Sequence, residues 1–227
     1  FVVSDGEKYK FIGTAQDHKR VGEGDKGKNT GGMGCYSPSR LNSPELAVKI
    51  NSKIIDPTLK AIKDLGTTYK GFLYVGLMIK DNNPYLVEFN VRMGDPECQT
   101  ILPLLKTDLI EIFVNCCLGK LNEKKIELKN EKSICIVLCS EGYPGEYKKN
   151  IPIKKLDNLF LKHKEYVFHA GTKLKNKEIV SSGGRVLNFV SISKDIKKSR
   201  GDLIKLINDL KWENGFFRKD IGYKVID

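Results

Sequence analysis

The run Glu88-Phe89-Asn90-Val91-Arg92 is where residue types and spacing point most directly to chemistry. Side chains alternate across a β-strand, so Glu88, Asn90 and Arg92 share one face while Val87, Phe89 and Val91 share the other. The expectation is an apolar face turned to the core and a second face presenting a carboxylate, an amide oxygen and a guanidinium in a row. Hard cations such as Mg²⁺ take oxygen ligands, commonly one or two protein groups with substrate phosphates completing the shell. Glu88 and Asn90 supply two such oxygens and Arg92 a two-toothed anion clamp, at about 7 Å spacing along the strand. That arrangement fits a metal-bridged phosphate; an edge strand with a solvated polar face carries the same pattern.

Two further clusters could meet a ligand. Gly94-Asp95-Pro96-Glu97 places a glycine and a helix start just beyond Arg92, where orphan N–H groups favour anions while Asp95 and Glu97 suit an amine. Ordinary capping gives the same signature. Upstream, Gln16-Asp17-His18-Lys19-Arg20 precedes Gly22, Gly24, Gly27 and Asn29-Thr30-Gly31-Gly32-Met33-Gly34. Glycines this dense let backbone approach a ligand, and successive N–H groups can form an anion nest; a mobile surface loop is the plain alternative. Neither the dinucleotide fingerprint nor the P-loop pattern occurs. His169 and Arg185 sit at strand ends, placed either to reach a ligand or to bond locally. No Ser/His/Asp or Cys/His arrangement is visible, so covalent catalysis by the protein is not indicated.

The elements that must position these groups follow from pattern. Residues 1–14 read as a strand pair turning at Asp5-Gly6, and 17–40 as a polar, glycine-rich loop. Ser43-Pro44-Glu45 starts a helix with apolar positions 46, 50, 54, 55, 59, 62 and 65, which Pro57 should kink and Gly66 end. Residues 71–79 and 85–91 read as an antiparallel hairpin across a five-residue loop. Asp95-Pro96-Glu97 repeats the cap signature, and positions 109, 112, 113, 116 and 117 form a helical stripe closed by Gly119. Beyond about residue 122 come strands at 134–140, 166–170 and 184–192, a turn at Gly142–Gly145 and a helix near 195–211. The organisation expected is therefore 1–121, carrying the metal and phosphate face, followed by a small β-rich domain over 122–227.

Composition bounds the classes. The chain has 227 residues, 40% hydrophobic and 30% charged, enough for a real core and too apolar for a disordered chain. No apolar run reaches the roughly 18 residues a spanning helix needs, and no secretory signal opens the chain, so no membrane partner is expected. Cysteines 35, 98, 116, 117, 135 and 139 form no C-x-x-C pair, which reads as free thiols in a cytoplasmic protein. The net charge of +11 invites a nucleic-acid reading, but only six of the 39 basic residues are Arg and no aromatic-interleaved basic motif appears. Lysines on solvated faces, with no nucleic-acid partner, are the expectation.

The motifs Gln16–Arg20, Asn29–Pro38, Gly71–Ile79 and Glu88–Glu97 resemble those of the phosphoribosylamine–glycine ligases, also called glycinamide ribonucleotide synthetases, ATP-grasp enzymes of purine biosynthesis. Glu141–Gly145, Phe168–Thr172, Gly183–Leu187 and Arg218–Gly222 extend the likeness to the end of the chain. The resemblance implies an α+β fold: the second half of an ATP-grasp domain plus a small β-rich C-terminal domain. It implies ATP-dependent joining of glycine to 5-phosphoribosylamine through a glycyl phosphate, with Mg²⁺ or Mn²⁺ on Glu88 and Asn90. Arg92 would clamp the transferring or acyl phosphate and Lys19 would join it in catalysis. Asp17, His18, Asn29, Thr30, Gly31, Gly32, Met33, Gly34, Asp95, Glu97 and Arg185 would bind substrate. Many ATP-grasp enzymes carry another acidic metal ligand where this chain has Gly76, so the metal would lean on Glu88, Asn90 and phosphate oxygens. Family members are about twice this length, and the expectation is a monomer once complete, or a pairing with a separate N-terminal half, with these 227 residues inactive alone. A non-catalytic fragment, a basic binding module and another amide-forming ATP-grasp ligase are the alternatives.

Overall fold

The computed structural model describes residues 1–226. In chain order its elements are β1 (Val2–Asp5), β2 (Tyr9–Phe11), β3 (Gln16–Asp17), β4 (Arg20–Gly22), β5 (Lys26–Asn29), β6 (Gly34–Ser37), α1 (Pro44–Ile50), α2 (Asp56–Asp64), β7 (Lys70–Lys80), β8 (Asn83–Asn90), α3 (Glu97–Ile101), α4 (Leu109–Leu118), β9 (Lys132–Ser140), β10 (Glu165–His169), β11 (Thr172–Lys175), β12 (Glu178–Ser181), β13 (Arg185–Ser193), α5 (Ile196–Leu210), β14 (Gly215–Phe216) and α6 (Tyr223–Ile226). Helices with antiparallel sheets make this the expected α+β class. Two compact units emerge, and neither is continuous in sequence. The first comprises Phe1–Thr14, Pro38–Gly94 and Leu105–Lys129; the second comprises Ala15–Ser37, Asp95–Leu104 and Asn130–Asp227.

The first unit is built on a four-stranded sheet in the order β2-β1-β7-β8. Asp5 Oδ1 accepts the N–H groups of Glu7 and Lys8, so the tight turn between β1 and β2 follows from the Asp-Gly pair. The helix capped by Ser43 Oγ begins as expected, and its interruption is one turn of π-helix over Asn51–Ile55. Pro57 has no N–H to give and its ring crowds the carbonyl four residues back, so the ladder widens just before it, with Asp56 N–H donating to Asn51 O. Val2, Ile55 and Leu73 form the buried centre, flanked by Tyr9, Leu59, Val75 and Phe89. Asp108 caps α4, and Gly119 closes it at φ 71°.

The β7–β8 hairpin is tighter than its five-residue loop expectation. Lys80 pairs with Asn83, leaving the two-residue turn Asp81-Asn82, both at positive φ, as asparagine and aspartate tolerate. Pro84 lies within β8, which it can do because β8 is the edge strand.

The second unit holds a six-stranded sheet running β10-β13-β9-β6-β3, with β14 also paired to β9. The 17–40 segment is therefore not a loop: β4 and β5 pair as a ribbon, and β6 is wholly buried beside β9. Cys35 lies opposite Cys135 and Tyr36 opposite Ile134. This long-range pairing draws residues 15–37 away from the first part, and the passage from first unit to second comes at Asn130 rather than near 122. The β11–β12 hairpin was unforeseen because its lysine-rich strands lack an apolar run. Helix α5, capped by Asp195, covers the sheet with Ile196, Leu203, Leu206, Ile207 and Leu210 over Ile134–Cys139 and Val186–Val190.

Gly34 shows why β6 tolerates no side chain there. Its φ is +150°, and a Cβ would lie 2.4 Å from the carbonyl oxygen of Cys135. Gly34→Ala is expected to lower stability by about 2–4 kcal/mol. Urea unfolding measures this, and a loss below about 0.5 kcal/mol would refute the close-packing assignment.

Candidate functional site

In the first unit, β8 delivers two of the three expected groups together. Asn90 Nδ2 donates to Glu88 Oε1 at 3.1 Å, so the carboxylate and amide do share a face. Arg92 lies past the end of the strand, and its Nη1 donates to Met93 O at 3.0 Å. The apolar face differs from expectation. Gly76 pairs with Glu88 while Leu77 pairs with Leu86, so Val87 is the extra residue of a β-bulge and is 65% exposed. Val91, beyond the strand, is also exposed, which leaves Phe89 alone to reach the core. Gly76 matters to this face: a Cβ there would meet Glu88 Cγ at 3.0 Å, so any side chain at 76 would press on the carboxylate.

In the second unit, β3, the β5–β6 connection, α3 and the start of β13 gather the remaining charges. Asp17 Oδ2 pairs with Lys19 Nζ at 2.6 Å. Arg185 donates through Nη1 to Asp95 O at 2.5 Å and Gly31 O at 3.0 Å, and through Nη2 to Asp95 Oδ2 at 3.1 Å. Glu97 is 3% exposed, and its carboxylate has no hydrogen bond or ion pair among the described residues. Asp95 does not cap α3. Its carboxylate is taken by Arg185 and by Gln99 Nε2, and Pro96 holds the cap position without a side-chain bond.

The glycine loop is not an anion nest. Thr30 N–H goes to Lys19 O, Gly31 N–H to Tyr143 Oη, Gly32 N–H to Thr30 Oγ1 and Met33 N–H to His18 O. Its glycines serve close approach instead: at Gly32, with φ +126°, a Cβ would lie 2.8 Å from Asp17 Oδ1. Met33 is fully buried in the core and Gly34 lies against β9, so neither is placed to touch a ligand. Asn29 is exposed at the end of β5. His18 is a structural group. Its Nε2 accepts Gly222 N–H at 3.2 Å, which makes Nδ1 the donor to Gly34 O, also 3.2 Å away. The His169 ring bonds Thr172 Oγ1 at 2.8 Å, its one side-chain hydrogen bond among the described residues. Sequence reasoning missed Tyr143, which it took for part of a turn; the tyrosine ring inside a Gly-rich stretch was the available signal.

Burial sets two neighbouring pKa values moving in opposite directions. Asp17 is pushed up to about 6 by burial and then by the charge of Glu97, with Lys19 opposing. His18 is pulled down to about 4 by burial and then by Arg218. For Lys19, burial opposes the charge, but Asp17 and Glu97 outweigh it and raise the value.

The sign of each stability effect follows. From about pH 4 to 6 the folded state holds a proton on Asp17 that the unfolded chain has lost, so this group makes stability fall as pH rises. From about pH 4 to 6.5 the unfolded chain protonates His18 while the folded state does not, so this group makes stability rise with pH. Asp17→Asn should therefore expose the histidine slope, making stability climb more steeply between pH 4 and 6.5 than in the parent. Urea midpoints across that range test it; unchanged slopes would show that Asp17 titrates normally.

Comparisons with known proteins bear on both units. Residues 1–98 match the family model "Phosphoribosylglycinamide synthetase, ATP-grasp (A) domain", and residues 133–224 match "Phosphoribosylglycinamide synthetase, C domain". The phosphoribosylamine–glycine ligase of Agrobacterium fabrum is 42% identical over 226 residues, covering 100% of this chain and 53% of that protein. The corresponding ligase of Escherichia coli O157:H7 is 42% identical over 233 residues, with the same coverage of 100% and 53%. The crystal structure of phosphoribosylamine–glycine ligase from Thermotoga maritima superposes with a TM-score of 0.80 at 32% identity, over 97% of this chain and 54% of that one. A biotin carboxylase from Campylobacter jejuni, at 15% identity and a TM-score of 0.62 over 91% of this chain and 44% of that one, shares the fold alone. The chain thus spans about half the length of the curated relatives it matches. With the two domain models together covering most of its residues, the chain belongs to the phosphoribosylglycinamide synthetase family.

Proposed function

We propose that the full-length protein carrying this chain joins glycine to 5-phosphoribosylamine, converting ATP to ADP and phosphate and yielding glycinamide ribonucleotide. The observation that carries this reading is the Glu88–Asn90 pair on one face of β8, read together with the family membership. The γ-phosphoryl group of ATP would pass to the glycine carboxylate. The ribosylamine nitrogen would then attack the glycyl carbon, the C–O bond to phosphate would break, and the nitrogen would lose a proton. Such a reaction asks for charge neutralisation and positioning, and no protein nucleophile.

Glu88 and Asn90 fit a hard divalent cation, Mg²⁺ or Mn²⁺. The Glu88 carboxylate and the Asn90 amide lie side by side on one strand face and would supply the two protein oxygens such an ion commonly takes when phosphates complete its shell, the Asn90 amide, whose Nδ2 meets Glu88 Oε1 at 3.1 Å, turning its oxygen to the ion. When bound, the cation would neutralise phosphate charge. Arg92, free of any acidic partner among the described residues, would add a second positive group for phosphate. Lys19, Asp95, Glu97, Arg185 and the Thr30–Gly32 backbone would line the substrate pocket of the second unit. Asp17 would position Lys19, and His18, Met33 and Gly34 would support the loop from behind. Asn29 would act at the exposed rim.

Small molecules would be the partners, with a cytoplasmic, monomeric protein the setting. All six cysteines are free, as a reducing compartment would keep them, and no helix among the described residues is long and apolar enough to cross a membrane. Assay of the full-length protein with each substrate omitted in turn tests the reading. ADP release should require both glycine and ribosylamine, with product of the mass of glycinamide ribonucleotide. ADP release that ignores glycine, or that another amino acid supports equally, would contradict it.

A further inference from the structure

Asn214-Gly215 is the only Asn-Gly pair in the sequence, and it stands where β14 begins. A glycine after an asparagine leaves its own nitrogen uncrowded, because no Cβ shields it from the preceding side-chain amide. Both groups that would react are unspent here. Asn214 is exposed, and its side chain makes no hydrogen bond among the described residues. Gly215 lies opposite Ser140 of β9, but the two exchange no hydrogen bond. Ser140 N–H goes to Gly184 O at 2.7 Å, and Glu141 N–H goes to Asn214 O at 2.9 Å. Such a pair in an antiparallel ladder turns its N–H groups outward, so the Gly215 N–H faces away from β9. The bond that Asn214 O accepts also polarises the peptide it shares with Gly215, which makes that N–H a better acid.

Asp5-Gly6 carries related backbone chemistry without the opening. Asp5 is 2% exposed, its Oδ1 accepts from Glu7 and Lys8, and its Oδ2 accepts from Leu121. Gly6 N–H donates to Ser4 Oγ at 3.2 Å. One such pair is therefore tied down by the fold and the other is bare. Around the bare pair the packing leaves little slack. A Cβ on Gly215 would lie 2.6 Å from Cys139 O and 2.6 Å from the Trp212 ring, while Trp212 Nε1 donates to Pro152 O at 3.1 Å. A change in main-chain length at this point has no room to be absorbed beside β9.

We propose that Asn214 is a site of spontaneous deamidation, with water as the only co-reactant, and that its isoaspartate product unpairs β14 from β9. The nitrogen of Gly215 gives up its proton and bonds to Cγ of Asn214. The Cγ–Nδ2 bond then breaks, and Nδ2 takes up that proton and leaves as ammonia. Water opens the resulting cyclic imide at either carbonyl. Opening at the side-chain carbonyl gives aspartate; opening at the main-chain carbonyl gives isoaspartate. In isoaspartate the main chain runs through Cβ and Cγ and is longer by one atom. The carbonyl that Glu141 N–H held has become a free carboxylate, so the register of Gly215 and Phe216 on Ser140 and Cys139 is lost. None of this depends on the ligase reading.

Peptide mapping by mass spectrometry tests the site in full-length protein kept at neutral pH and physiological temperature. The amide of Asn214 should be lost at least about tenfold faster than those of Asn42 and Asn51, each followed by a serine whose Cβ crowds the nitrogen. Asp5 should yield no isoaspartate over the same interval. Asn214→Gln keeps an amide but disfavours the ring, and should hold its mass. The isoaspartate fraction, once separated, should unfold at lower urea than fresh protein. Asn214→Asp, which places the charge on an unaltered main chain, should unfold with the fresh protein. Loss of ammonia from Asn42 or Asn51 as fast as from Asn214 would overturn the assignment of the site. An isoaspartate fraction that unfolds with the fresh protein would overturn the unpairing.

Discussion

Glu88→Ala in the full-length protein is expected to reduce glycine- and ribosylamine-dependent ADP release at least about 100-fold, with Asn90→Ala close behind. The two side chains touch on the solvent-facing side of an edge strand, and this polar face contributes little to packing. Their removal should therefore leave the fold intact. Stability within about 0.5 kcal/mol of the parent, measured by urea unfolding, is the companion expectation. A protein that stays folded and still turns over normally would remove the metal assignment. The bulge at Val87 belongs to the same argument, since it sets the register that brings Glu88 opposite Gly76, where no side chain competes for the space.

The second large effect is on stability. Arg218 is 1% exposed and binds Asp220 through Nε and Nη2, both at 2.8 Å, and Asp25 and Arg20 O through Nη1, at 2.9 and 3.0 Å. Asp25 also receives Tyr223 Oη and Lys224 Nζ, and although burial pushes its pKa the other way, these cationic and hydroxyl donors hold the carboxyl far below its usual range. Arg218→Met keeps much of the volume and strands the carboxylates, so a loss of about 3–5 kcal/mol is expected. The depressed carboxyl of Asp25 stabilises the parent at pH values above the ordinary aspartate range and ceases to do so as pH falls. The deficit of the variant should accordingly shrink in acid. A loss below about 1 kcal/mol at neutral pH would show that the cluster is dispensable. Because Gly222 N–H also holds His18, the same C-terminal segment braces the strand that presents Asp17 and Lys19.

Much of this was legible in the sequence where the physics is local. The Ser43 cap, the disturbance at Pro57 and the Gly119 stop all follow from one or two residues and their backbone preferences, whereas the Asp108 and Asp195 caps come from the structure. The pairing of Glu88 with Asn90 follows from strand alternation, which holds as far as the bulge at Val87 and fails for Val87 and Val91. What stayed hidden is non-local. Cys35 meets Cys135 across a sheet, and nothing in either short segment names its partner, so the glycine-rich stretch read as a loop. The same holds within the site. The Gly31 N–H looked available because its acceptor, Tyr143 Oη, lies 112 residues away in sequence. Glu97 was legible as an acid near a helix start, but not as an almost fully buried acid without a hydrogen bond or ion pair among the described residues.

The central claim is that Glu88 and Asn90 hold a divalent cation together with nucleotide phosphate. Paramagnetic relaxation by Mn²⁺ in the presence of ATP tests it most directly, read on the side-chain carboxyl carbon of Glu88 and the amide nitrogen of Asn90 in the full-length protein. Selective broadening of those two signals at substoichiometric Mn²⁺, reversed by excess Mg²⁺ and lost on omitting ATP, is the predicted result. Sharp signals at both positions, with the broadening elsewhere in the chain, would contradict it.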